Sequence, residues 1–239
     1  KMIEEKLPDT VIALTSDPTS PQYRAYEWTV TIDPLTETEL SINPIRMVQR
    51  YVLAVLYYTT DGGWTEWTES SGWLEDHDEC SWYTTSPTSM CDQMGRIYDI
   101  DLRKNNLAGR LPSEFVLLSD TLSYIRLNGN KLIGSIPSIL FDGMNGSPFL
   151  GKLLRFHVHW NSLTGTLPTF PGTNIDSGLP AIKSLRLGHN DFVGTIPWQL
   201  SELSTLQWLD LAANDLVGSI PFLLGDLTAL SKSYIRLCL

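Results

Sequence analysis

From residue 97 onward apolar residues return in one fixed order, L-x-x-L-x-L-x-x-N-x-L-x-G-x-I-P. The first copy runs Ile97, Ile100, Leu102, Asn105, Leu107, Gly109, Leu111, Pro112, and later copies open at Leu122, Leu153, Ile182 and Leu206. Each matches the template at all of these positions, with the usual exchanges among Leu, Ile, Val and Phe. The second and third apolar positions alternate with period two, which predicts a short strand with its apolar side inward. The asparagine stands where the chain turns away from that strand, and its amide can donate to and accept from buried backbone groups of neighbouring coils. Glycine permits a tight bend, while proline fixes φ and ends strand pairing. No coil can bury its own apolar face, so the pattern predicts coils stacked over one continuous core.

The copies are 25, 31, 29 and 24 residues apart. The two longer steps add turn-rich stretches after Pro137 and Pro168, which read as surface loops. Asn145-Gly146-Ser147 in the first of them is a glycosylation sequon, making Asn145 a candidate acceptor. Ser233-Tyr234-Ile235-Arg236-Leu237 repeats Ser123-Tyr124-Ile125-Arg126-Leu127 letter for letter and opens a sixth copy. An open apolar end needs a cover, so further repeats beyond Leu239 are expected.

Ahead of the repeats the period changes. Ile45, Val48, Val52, Val55 and Leu56 recur at helical spacing, with Arg46, Gln49 and Arg50 off that face, which predicts a helix over 44–60. Ser20-Pro21 opens a second expected helix, to Thr31, packing Tyr23, Tyr26 and Trp28. Trp28, Trp64, Trp67, Trp73 and Trp82 crowd this region, either as a platform for sugars or, the favoured reading, as a lid filling the first coil. The expected organisation is therefore a helical extension (1–44), a cap (45–96), five repeats (97–231) and the start of a truncated sixth (232–239).

Composition narrows the function classes. Net charge is −10, and residues 61–95 hold eight acids with no Lys or Arg, whereas 96–239 is nearly balanced at twelve bases to eleven acids. A nucleic-acid partner is not expected, because it needs a dominant basic footprint. The longest apolar run, Tyr51 to Tyr58, is far short of the roughly 20 residues of a membrane helix, so no membrane segment is expected in this chain. Glu75-Asp76-His77-Asp78-Glu79 lacks the glycine and spaced register of a calcium loop and reads as a solvated acidic loop. Cys80 and Cys91 could form a local bridge or remain reduced thiols, and spacing alone leaves both open.

The L-x-G-x-I-P half of the template resembles plant-type leucine-rich repeats. Thr59-Thr60-Asp61-Gly62-Gly63-Trp64, Gly72-Trp73-Leu74, Cys80-Ser81-Trp82 and Cys91 resemble the N-terminal cap of that family. The wording of the cap is closer to secreted repeat proteins of diatom-like algae than to receptor-like proteins of land plants. The resemblance covers about residues 45–239. It implies an α/β solenoid with a concave parallel sheet, short helical or 3-10 segments on the convex side, and an α-helical cap. It also implies a secretory route to the cell exterior or surface, a Cys80–Cys91 bridge, and action by binding.

In such a solenoid the remaining strand residues point outward in columns about 4.8 Å apart. One column runs Asp101, Arg126, His157, Arg186, Asp210, Arg236, and the column two residues earlier runs Asp99, Tyr124, Arg155, Ser184, Trp208, Tyr234. The column two residues later runs Arg103, Asn128, His159, Gly188, Ala212, Cys238, and beside it lie Lys104, Trp160 and His189. Like charges on adjacent strands oppose folding, so this gathering suggests a site for an anionic or hydrogen-bonding partner. Arginine would fork onto carboxylate or sulfate, and Tyr124, Trp160 and Trp208 would stack on sugar or peptide. The bland alternative is a solvated face whose arginines pair with Asp101 and Asp210. His157-x-His159 could suit zinc but has no assured third ligand, so no metal and no cofactor is expected. Without a phosphate loop, nucleophile elbow or zincin motif, an enzyme is not expected. The expected partner is a protein, peptide or anionic polysaccharide, with self-assembly into an extracellular wall or filament as the alternative.

Overall fold

The computed structural model of the protein describes residues 13, 16–33, 43–60, 66–142, 150–169, 181–230 and 235–236. Ahead of the repeats lie α1 (Pro21–Glu27), continued by one π-helical turn (Trp28–Ile32), and α2 (Pro44–Thr60). Ser20 caps α1 by accepting from the Tyr23 N–H at 3.1 Å, with Pro21 in the first turn. Trp28 is buried as the pattern predicts, but Tyr26 is exposed, because α1 presents only one narrow side to α2.

The α2 boundaries match the predicted helix, yet its burial does not follow the predicted face. Ile45 is exposed, whereas Gln49 and Arg50 are fully enclosed. The cause is enclosure from several sides, by α1 and its π turn and by the 3-10 segment Ser113–Leu118 of the first coil. A buried charge persists only when paired and hydrogen-bonded. Arg50 donates to Asp33 Oδ1 at 2.7 Å and to the His77 carbonyl at 2.9 Å, with its guanidinium 4.9 Å from the Trp82 ring centre. Arg46 pairs with Glu79 at 2.9 Å, so Glu79 is buried in the cap and not part of a solvated acidic loop. Gln49 accepts from the Ile97 N–H at 3.0 Å, tying α2 to the start of the first repeat. Trp28, Trp67, Trp73 and Trp82 are all buried here, which supports the lid reading; Trp64 lies outside the described residues. Cys80 and Cys91 form a disulfide within the cap.

The repeats supply eleven strands: β1 (Asp99–Asp101), β2 (Ala108–Gly109), β3 (Tyr124–Arg126), β4 (Lys131–Gly134), β5 (Arg155–His157), β6 (Ser162–Thr166), β7 (Ser184–Arg186), β8 (Asp191–Gly194), β9 (Trp208–Asp210), β10 (Asp215–Leu216) and β11 (Ile235–Arg236). Odd-numbered strands form one parallel sheet in chain order, the expected concave wall. Even-numbered strands form a second parallel sheet, which the sequence reading missed by treating the glycine half of the template as a bend alone. The glycines make that second sheet possible. Gly165 and Gly194 both sit at φ +84°, and a Cβ there would come within 3.1 Å of Ser135 and 3.2 Å of Thr166 in the preceding coil. The return path carries 3-10 segments at Ser113–Leu118, Trp198–Glu202 and Phe222–Asp226 and a short helix, α3 (Ile139–Asp142).

The apolar Leu, Ile, Val and Phe template residues of the five copies share one core, with Ile220 of the last copy the exception at 47% exposure. Between coils the asparagines act as predicted. Asn161 accepts from the Leu132 N–H at 3.0 Å while donating to the carbonyls of Leu127 at 3.1 Å and Val158 at 2.9 Å. Asn130, Asn190 and Asn214 repeat this arrangement. At the cap, Asn105 makes the same pair of bonds to the backbone of Glu69, so the cap residue stands in for a preceding coil.

Candidate functional site

The parallel register brings the predicted columns together. Asp101, Arg126, His157, Arg186 and Asp210 lie side by side across β1, β3, β5, β7 and β9, and so do Asp99, Tyr124, Arg155, Ser184 and Trp208. Their electrostatics differ from a uniform cationic patch. Arg126 is bonded to the buried carboxylate of Asp99 and lies 3.2 Å from that of Asp101, which Arg103 also contacts at 2.7 Å. Burial raises the Asp99 pKa, against the opposing pull of Arg126. Arg126 is thus held largely within the wall, as the bland alternative supposed for Asp101.

His157 is buried and bonded through Nε2 to Ser184 Oγ at 2.8 Å. Burial, reinforced by the nearby Arg186, pushes its pKa down to about 3. His159 is lowered to about 4 by burial first and then by Arg186. Both imidazoles are therefore neutral at neutral pH and act as hydrogen-bonding groups. With Nε2 engaged by Ser184, His157 is a poor zinc ligand, and among the described residues no group of three or more His, Cys, Asp or Glu could hold a metal ion. The charge displayed on this strip belongs to Arg155 and Arg186, each set against an aromatic ring. Arg155 lies 5.4 Å from the Tyr124 ring centre and Arg186 lies 4.0 Å from that of Trp208.

Trp160 and His189 do not join that strip. They belong to the turns that follow β5 and β7, where the residue before each ladder asparagine adopts a left-handed backbone. Lys104, Gly129, Trp160, His189 and Ala213 occupy this place in successive coils, with φ between +53° and +72°. The Trp160 and His189 rings stack at 3.6 Å and 9°. Beside them lies an open trough of about 1010 Å³ along the edge of the concave sheet. His159 and Trp160 line it from the predicted set, joined by Tyr83 and Thr85 of the cap and by Arg103, Lys104 and Asn128. Sequence reasoning left these last five out of the site. The column spacing already sets Arg103 and Asn128 in line with His159, and Lys104 beside Trp160 and His189, without counting them in the site; Tyr83 and Thr85 reach it from the cap. Asn145, the predicted glycosylation acceptor, lies outside the described residues.

Two stacked parallel sheets, an asparagine ladder and a bridged tryptophan-rich cap define a leucine-rich-repeat solenoid, and the chain belongs to the plant-type leucine-rich-repeat proteins. A Leucine Rich Repeat family model matches residues 205–227. Receptor-like protein 18 of Arabidopsis thaliana is 34% identical over 130 residues, covering 46% of this chain and 15% of its own length. Receptor kinase-like protein Xa21 of Oryza sativa subsp. japonica is 34% identical over 85 residues, covering 36% of this chain and 7% of its own length. The chain therefore spans a small part of the curated relatives it matches. Among solved structures, a chain in the BIR3–SERK2 complex from Arabidopsis thaliana is 31% identical, with a TM-score of 0.52, covering 66% of this chain and 76% of that one. The Arabidopsis receptor kinase HAESA, solved with the peptide hormone IDA and the co-receptor SERK1, is 25% identical with a TM-score of 0.55, covering 82% of this chain and 33% of that one.

Proposed function

We propose that this chain is an extracellular recognition module that binds a protein or peptide along its concave wall. The observation that carries the reading is the strip formed by Arg155 over Tyr124 and Arg186 over Trp208, held in register on the concave sheet. Aromatic and arginine side chains presented together on a rigid scaffold are the groups that dominate protein and peptide recognition. HAESA, similar in fold and partly in sequence, is solved with a peptide hormone and a co-receptor, which supports the same class of partner here. The cap disulfide agrees with an oxidising compartment. Among the described residues no helix is long and apolar enough to cross a membrane. Asp99 and Asp101, the acids best placed to imitate a hydrolytic pair, are occupied by Arg126 and Arg103, which supports binding without catalysis.

The test is selection from a displayed peptide library on the immobilised chain, followed by affinity measurement on Arg155→Ala and Trp208→Ala variants. Enriched acidic or aromatic-acidic peptides that lose at least ~10-fold in affinity on either change would support the reading, equivalent to about 1.4 kcal/mol. Enrichment indifferent to both changes would overturn it. Sedimentation at rising concentration separates the alternative, since a wall or filament subunit grows in mass and a recognition module does not.

A further inference from the structure

We propose that the trough at the edge of the concave sheet is a second, separate binding site, which takes an acidic sugar unit of the uronate type. Three independent observations converge on it.

The first is an internal contrast at one template position. The backbone before each ladder asparagine must be left-handed, and Gly129 and Ala213 show that a small residue suffices. Trp160 and His189 occupy the same position at φ +58° and +55°, a backbone region that disfavours a bulky side chain. Burial does not repay this, because Trp160 is 58% exposed. What the pair does provide is a flat platform, an indole held in plane by the imidazole stacked upon it. The C–H face of a pyranose packs on such a surface.

The second is unfulfilled hydrogen bonding. Asn128 Oδ1 and His159 Nδ1, both on residues lining the trough, are buried and have no hydrogen-bond partner among the described residues. Leaving such an atom unsatisfied opposes folding. Both atoms are closed to water as they stand; turned toward the trough, a carboxamide oxygen and an imidazole nitrogen suit hydroxyls, which both donate and accept. A peptide ring able to stack on Trp160 carries no such row of neighbouring hydroxyls.

The third is charge. Lys104 is exposed at the rim and Arg103 lies beside it, while His159 remains neutral. Arg103 is paired with Asp101, so Lys104 supplies the cation, and one cation beside a stacking platform and hydroxyl-matching groups suits a ring bearing both hydroxyls and a carboxylate. The trough is open along its length, as suits one unit of a longer chain.

Titration calorimetry of the whole chain with a short oligogalacturonate, against a neutral cello-oligosaccharide of equal length, tests this. Trp160→Asn keeps a residue that tolerates the left-handed backbone, and Lys104→Gln removes the rim charge. Saturable binding of the uronate, weakened by added salt and at least ~10-fold weaker in both variants, is expected. The Trp198→Ala variant on the opposite, convex side should bind as the parent does. Absence of saturable binding, equal binding of the neutral oligosaccharide, or variants that fold by circular dichroism yet bind as the parent would overturn the proposal. An acidic peptide that binds more tightly than the uronate and is lost in the same variants would overturn it in favour of a peptide site.

Discussion

The cap and the turn edge of the concave sheet use the same residue types to opposite ends. In the cap, four tryptophans are buried, and Arg50 is enclosed between Asp33, Glu79 and two indole rings. At the edge, Trp160 stands more than half exposed on a strained backbone, while polar atoms of Asn128 and His159 lack partners. The charged groups of the cap are matched to one another, although Tyr51 Oη, Thr59 Oγ1 and Trp67 Nε1 there also lack hydrogen-bond partners among the described residues. At the edge the unpartnered atoms belong to residues that line an open trough beside an exposed ring. That difference in setting, more than a missing partner alone, separates a packing feature from a binding one.

The contrast can be broken by mutation, and the largest effect should come from the cap. Arg50→Ala leaves Asp33 buried without its counter-charge and should lower stability by about 3–5 kcal/mol in urea unfolding. A loss below about 1 kcal/mol would show that the cluster contributes little and that the cap is not the tightly matched region described. The concave wall should respond to acid. His157 and His159 are depressed to about 3 and 4 in the folded chain, so the unfolded chain binds more protons below the ordinary histidine value near 6.5. Stability should fall as pH drops from about 6.5 toward 3, by on the order of 3 kcal/mol, with the raised Asp99 partly opposing the trend. A flat unfolding midpoint between pH 7 and 4 would contradict neutral, buried imidazoles. Asn161→Ala removes a side chain serving two coils and should cost about 2–3 kcal/mol. Smallest, and opposite in sign, is Trp160→Gly. Relief of the left-handed strain should leave stability unchanged or raise it by up to about 1 kcal/mol. A loss near that of Arg50→Ala would place Trp160 in the structural class after all.

Much of the fold was legible because the repeat is strict. The register of Asp101, Arg126, His157, Arg186 and Asp210 follows directly from copies aligned at Ile100, Ile125, Phe156, Leu185 and Leu209. The second sheet was not legible, because Ala108–Gly109 and Asp215–Leu216 are two-residue strands whose pairing depends on how closely coils approach. Nor was the burial of Arg50 and Glu79, since helical periodicity records one apolar face and cannot show that a helix is wrapped on several sides. For the site, the columns could be read from spacing, but charge pairing could not. Arg126 looked like a recognition group until Asp99, on the neighbouring strand and in the adjacent column, claimed it. Lys104 could be set beside Trp160 and His189 from spacing, but Tyr83 and Thr85 meet the trough only through the cap loop, a property of space and not of sequence distance.

The asparagine ladder also sets how such a molecule can change length over evolutionary time. Because each amide reads the backbone of two successive turns of the superhelix at once, deleting or inserting a lone residue between strand and asparagine would misalign both. Gain or loss of a whole turn leaves every junction chemically identical. Lineages of this architecture are thereby steered toward growth in quanta, with tinkering confined to the connecting stretches, where the spacings of 31 and 29 residues exceed those of 25 and 24.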